Sequence, residues 1–256
     1  MKFRVIFLLM AACTFFTSYA AEKDKYLNIV YIGNSITYGA GVEDRLHNAP
    51  PVKASMFLRQ KPDIKSVQFS NQGVSGATTV DFLPSTNTLF PKVTAAADQF
   101  ATEDWAMLLF SVMLGTNDSA IKGPNGSPVS PSQYKENMKT ILDVLLEKYP
   151  GCKIVVHRPI WYSPNTHNGA LYLKEGLKRL KKYYPQLKRL VKEYRETYPG
   201  RVFLGDTGAF NYFEKYHLTK VQAEDGNSGV FYLHPNKEGA ADLGQFWCDA
   251  IYSVLK

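Results

Sequence analysis

Short apolar runs alternate along the chain with longer stretches in which apolar side chains recur at helical spacing. Residues 27–32 are apolar except for Asn28 and stop at Gly33, which predicts a buried strand. Residues 67–71, stopping before Gly73, and residues 107–112, 153–157 and 201–204 predict four more. Tyr134, Met138, Ile141, Leu142, Leu145 and Tyr149 share one helical face, punctuated by Pro131 before them and Pro150-Gly151 after. Residues 169–198 read as a long helix that Pro185 breaks or kinks. A last helix starts at Asn236, a good N-cap, and buries Ala240, Leu243, Trp247, Ala250, Ile251 and Val254. Strands alternating with helices, without linker or repeat, predict one α/β domain around a parallel sheet covered on both faces.

The composition is that of a globular chain. Of 256 residues 45% are hydrophobic and 21% charged, which excludes disordered, collagen-like and coiled-coil proteins. At this length folding buries roughly 70–75% of the unfolded surface, so no disulfide framework is needed. Residues 1–20 are expected to be a secretory leader: Lys2 and Arg4 open it, residues 5–16 are almost entirely apolar, and Ser18 and Ala20 are small residues suited to cleavage. Lipoprotein processing at Cys13 is the less favoured alternative. Residues 21–256 are then the exported domain, periplasmic or extracellular, and its formal charge falls from +7 to +5 with the loss of Lys2 and Arg4. That charge lies largely in residues 174–195 and reads as a solvated helix face, not as a nucleic-acid footprint. Cys152 and Cys248 remain, either paired or as two buried thiols. Beyond the leader no apolar run is long enough to span a membrane.

Ligands of open parallel sheets bind beyond the carboxyl ends of the strands, and the unusual polar residues sit there. Ser35 follows the first strand through Gly33-Asn34, Gly73 ends the second, and Asn117 follows the third in Gly115-Thr116-Asn117-Asp118. A serine hydroxyl, backbone N–H groups at Ser35 and Gly73, and an asparagine amide suit attack on an ester and stabilisation of the resulting oxyanion. The same residues also read as turn formers and helix caps. His234, in Leu233-His234-Pro235-Asn236, lies at the entry to the last helix. The other four histidines show no paired metal spacing.

Gly33-Asn34-Ser35-Ile36-Thr37, Gly73, Gly115-Thr116-Asn117-Asp118 and His234-Pro235-Asn236 resemble, in order and spacing, the four blocks of the SGNH (GDSL-like) hydrolase superfamily. The resemblance runs from about Tyr26 to the C-terminus. It implies a flavodoxin-like three-layer α/β/α sandwich with a five-stranded parallel sheet, and a serine esterase with no metal or organic cofactor. It further implies Ser35 as nucleophile, His234 as general base, and an oxyanion hole of the Ser35 N–H, the Gly73 N–H and the Asn117 side chain. One position departs: Phe231 stands three residues before His234, where the family usually has Asp. Asp225 is favoured as the group that orients His234, with Glu224 or a main-chain carbonyl as alternatives. Trp161 and Tyr162, after the fourth strand, are expected either to form a sugar platform or to pack under their loop. The closest resemblance is to exported bacterial carbohydrate O-acetylesterases, so an acetylated sugar or oligosaccharide is the expected substrate. A lysophospholipase or thioesterase with the same site, and a non-catalytic glycan-binding protein, are the alternatives.

Overall fold

The computed structural model describes residues 24–256; the leader at 1–20 and Cys13 lie outside the described residues. In chain order the elements are β1 (Lys25–Gly33), α1 (Ser35–Tyr38), α2 (Arg45–Asn48), α3 (Pro50–Leu58), β2 (Ile64–Gly73), α4 (Phe90–Phe100), β3 (Met107–Met113), α5 (Pro131–Lys148) and β4 (Lys153–Val156). Then follow α6 (Leu173–Thr197), β5 (Val202–Leu204), α7 (Ala209–Lys220), β6 (Val221–Glu224), β7 (Phe231–Pro235) and α8 (Lys237–Ser253).

Strands β1 to β5 form one parallel sheet in the order β2-β1-β3-β4-β5. The interior strand β1 is buried from Leu27 to Gly33, which is why its sequence is a nearly continuous apolar run and not an alternating one. The chain leaves β1 to one side for β2 and returns to the other for β3, so the strand order reverses beside β1. Right-handed crossovers place α3 on one face, where α8 packs against it, and α4, α5 and α6 on the other. This is the three-layer sandwich expected from the sequence.

Register sets the level of the site. Gly33 lies opposite Gly73 of β2 and Met113 of β3, so three strands end at one height at the point of reversal. The core behind this edge is closed by Trp247 of α8, stacked on Tyr31 at 5.9 Å and on His157 at 5.3 Å. His157 is buried as a structural group: its Nδ1 accepts the Asp206 N–H and its Nε2–H donates to Ser111 Oγ, both at 3.0 Å. Cys152 and Cys248 are buried free thiols.

Two elements differ from expectation. Helix α6 continues through Pro185 without a break, because Leu177, Leu180, Tyr183, Leu187, Leu190, Val191 and Tyr194 bury one stripe on both sides of the proline. That burial outweighs the one backbone hydrogen bond that proline removes. The antiparallel hairpin β6–β7, which carries His234, is absent from the strand pattern read in the sequence.

Candidate active site

Each polar group at the sheet edge is held by local backbone chemistry. Asn34 caps α1, its Oδ1 accepting the Ile36 N–H at 3.0 Å. Ser35 is thereby the first residue of the helix, with its N–H free of any intrahelical acceptor. Its Oγ lies 2.9 Å from His234 Nε2. Glu224, at the end of β6, accepts both the His234 main-chain N–H at 3.1 Å and the Nδ1–H, with each carboxylate oxygen 3.0 Å from the ring nitrogen. Because Nδ1 carries the proton for Glu224, Nε2 presents its lone pair to the Ser35 hydroxyl. The side chains of His234 and Glu224 are 14% and 25% exposed, shielded enough to order the pair yet open to a substrate.

Asp225 does not take the position expected of it. It lies one residue beyond β6 and is exposed, while Glu224 meets His234. Side chains alternate along a strand, so neighbours cannot share a direction. A register shift between Val221 and Ala223 further re-aims this end of the hairpin.

Asn117 lies in the turn after β3 and is buried. Its amide orientation is fixed from both ends: Nδ2 donates to the Ala77 carbonyl at 2.8 Å, and Oδ1 accepts the Tyr172 hydroxyl at 2.6 Å. The second N–H of Nδ2 remains for a ligand. Asp118 beside it is wholly buried, accepts the Thr79 N–H at 3.0 Å, and is pushed by burial up to about 6.

Gly73 is the second correction. Its N–H donates to Asn71 Oδ1 at 2.9 Å and so is already engaged. A Cβ at Gly73 would lie 2.3 Å from the Tyr38 N atom, so this glycine exists to let β2 end against α1. Gly76, three residues on, reaches the site instead. It has φ +80°, faces open space, and lines a cavity of about 320 Å³ together with Ser35, Asn117, Tyr172 and His234. The sequence signal for it was present in Asn71-Gln72-Gly73-Val74-Ser75-Gly76, where two glycines competed for one role.

Trp161 and Tyr162 are the third correction. They are 5% and 0% exposed and line no part of this cavity. Tyr162 hydrogen-bonds Ser119 Oγ at 2.8 Å, and Trp161 packs on the His217 ring at 5.0 Å. The Tyr162 hydroxyl and the Trp161 ring face are thus engaged inside the protein.

Asn168, Ala170 and Tyr172 form one wall of the cavity, within the segment 163–172. One end is tied to the hairpin, through Ser163 N–H to Tyr232 O at 2.9 Å and Asn227 N–H to His167 O at 2.8 Å. The other is tied to the loop after β3, through Leu171 N–H to Lys122 O at 2.9 Å. Among the described residues no group of three or more His, Cys, Asp or Glu side chains is placed to hold a metal ion.

Residues 31–241 match the GDSL-like lipase/acylhydrolase family, a span from the end of β1 into α8. The chain belongs to that family. No curated protein sequence matches it. Among solved structures, this acylhydrolase is similar to Est24, a carbohydrate acetylesterase from Sinorhizobium meliloti, at 16% identity and TM-score 0.61, covering 89% of this chain and 99% of that one. It is also similar to the aryl esterase of M. smegmatis, at 19% identity and TM-score 0.57, covering 89% and 99%. A third is a variant of an acetyl-xylooligosaccharide esterase from Geobacillus, at 19% identity and TM-score 0.58, covering 90% and 96%. At these identities the likeness is one of fold. The serine–histidine–carboxylate arrangement of this GDSL-like acylhydrolase stands on its own distances.

Proposed function

We propose that this acylhydrolase is an exported serine esterase that removes short acyl groups, acetyl above all, from a carbohydrate. The observation that carries the reading is Ser35 Oγ, 2.9 Å from a histidine whose far nitrogen is held by Glu224, at the mouth of a cavity of about 320 Å³. In the acylation step His234 Nε2 takes the hydroxyl proton as Oγ attacks the ester carbonyl. The oxyanion receives hydrogen bonds from the Ser35 N–H, the Gly76 N–H and the free N–H of Asn117. Collapse breaks the bond to the sugar oxygen, which leaves with the proton from Nε2. Water then gives a proton to His234 and attacks the acyl-Ser35, and collapse breaks the Ser35 ester bond, Oγ taking the proton back from Nε2 as the carboxylic acid is released. Glu224 stabilises the imidazolium in both steps and keeps the proton on Nδ1.

The short acyl group is supported by the cavity, which is at the small end for organic ligands and is lined by the small residues Ala40, Ser75, Gly76 and Ala170 beside Pro124 and Leu233. Such a wall accommodates an acetyl group but gives a long acyl chain little to bury against. The carbohydrate is supported by the activities named for Est24 and the Geobacillus esterase. Export follows from the leader-like residues 1–20, and no described helix is long and apolar enough to cross a membrane.

The test is hydrolysis of p-nitrophenyl acetate, butyrate and octanoate by the native protein and by Ser35→Ala, followed by acetate release from acetylated xylo-oligosaccharides and acetylated sialic acid. Native activity should fall with chain length and vanish in the variant. Equal rates in the two proteins would overturn the serine mechanism, and a preference for octanoate would overturn the short-acyl reading.

A further inference from the structure

We propose that Tyr172 is a positioning residue of the oxyanion hole, acting through Asn117; this rests on the esterase reading above. The amide of Asn117 is useful only in one of its two flipped states, the one that turns an N–H toward Ser35. The Ala77 carbonyl, 2.8 Å from Nδ2, excludes the flipped state, which would set two oxygens against each other. Tyr172 supplies the complementary half, donating its hydroxyl to Oδ1 at 2.6 Å. Beyond holding the amide, this donor withdraws electron density through Oδ1 and makes the free N–H a better hydrogen-bond donor when charge develops on the substrate. The effect is largest in the transition state, so it belongs to kcat more than to KM.

The backbone around Tyr172 is arranged for this contact. The next residue, Leu173, has φ +52°, a left-handed conformation that a leucine adopts only when its surroundings enforce it. The N–H groups of Tyr172 and Leu173 both donate to the Thr166 carbonyl, at 3.2 Å each, which folds the chain back at this point. The Tyr172 ring meets Tyr162 edge-on at 5.3 Å and is 3% exposed, so its hydroxyl has one direction to point. Tyr162 thereby finds a part in the site, as the ring that backs Tyr172.

The experiment is a double-mutant cycle of Tyr172→Phe and Asn117→Ala on p-nitrophenyl acetate, with kcat and KM read separately and reactive serine counted by titration with a phosphonate ester. Tyr172→Phe should lower kcat per competent serine roughly 5- to 20-fold, the worth of one short hydrogen bond, with KM within about twofold. In the Asn117→Ala background the same change should cost almost nothing more, because the group it acts through is gone. An unchanged kcat in Tyr172→Phe overturns the proposal, as does an equal loss in both backgrounds or an Asn117→Ala variant of native rate. A purely structural tyrosine would reduce the count of competent serines and leave kcat per serine alone. Should Tyr172→Phe not fold, 3-fluorotyrosine placed at position 172 keeps the shape with a stronger donor. It should raise kcat, and an unchanged or lower kcat would count against the idea. Activity that survives Ser35→Ala brings down the esterase reading itself, a result distinct from all of these.

Discussion

Glu224 grips His234 at two points, the ring Nδ1 and the main-chain N–H, so one carboxylate sets the tautomer and the position of the base. Glu224→Gln should therefore lower kcat by as much as about 10⁴-fold, the scale of losing the carboxylate in a serine–histidine–aspartate triad. Asp225→Asn, at the exposed neighbouring position, should stay within about twofold of native. Steady-state kinetics on p-nitrophenyl acetate decide between them, and the reverse ranking would return the role to Asp225. Asn117→Ala should cost on the order of 10²–10³-fold as a lost oxyanion donor. Ser35, Asn117 and His234 were legible in the sequence because each stands in a short polar block just past a strand or before a helix. Glu224 stood only as an alternative to Asp225, because its contact depends on hairpin register and a bulge, neither of which is written in residue spacing. Trp161 and Tyr162 misled for a physical reason. An aromatic with a polar tip looks alike in a sequence whether the tip faces a ligand or, as with Tyr162, a buried serine.

Strands β1 and β3 and helices α5 and α8 could be read because buried runs of five or more residues and long stripes leave few other assignments. Strands β2, β4 and β5, with shorter buried runs, could be read because each alternates with a helix. The hairpin β6–β7 could not: Val221–Glu224 and Phe231–Pro235 are four and five residues long, and only part of each is buried. Yet that hairpin, not a loop before the last helix, carries His234. The glycines of the turn after β2 show the same limit, since Gly73 and Gly76 differ in the neighbours their backbones meet. Alanine at Gly73 would drive a Cβ into the Tyr38 N and Thr37 C atoms of α1, the element that starts at Ser35. Alanine at Gly76 would meet nothing within 4 Å and would bear only the strain of φ +80°. Gly73→Ala should thus lose roughly 1–3 kcal/mol of stability, the range for overpacking, and lose activity with it as α1 shifts. Gly76→Ala should be the milder change in folding. Urea unfolding of both variants is the check, and a more stable Gly73→Ala than Gly76→Ala would show that β2 does not need its close approach to α1.

On the scale of the molecule, the reversal of strand order places the site while two buried titratable groups behind it bear on stability in opposite senses. Burial lowers His157 to about 3, so the folded chain keeps it neutral where an unfolded chain takes up a proton near 6.5. Its stabilising contribution is whole above pH 6.5 and drains away as the pH falls toward 3. Burial raises Asp118 to about 6 against an ordinary 3.8, so folding is penalised when this carboxyl must ionise at neutral pH. That penalty fades as the pH drops from 6 toward 3.8. Between pH 7 and 4.5 the histidine removes about 3 kcal/mol and the aspartate returns about 2 kcal/mol, so together they leave a shallow slope. Asp118→Asn keeps an oxygen for the Thr79 N–H but abolishes the titration. The variant should therefore lose stability in acid more steeply than the native protein, by about 2 kcal/mol over the same interval. Urea midpoints of both proteins at pH 7 and 4.5 measure this directly, and the remaining carboxylates are common to both and cancel in the difference. Parallel slopes would mean that Asp118 is already ionised throughout this range and that its donors, the Thr79 N–H and the Thr79 hydroxyl, outweigh its burial.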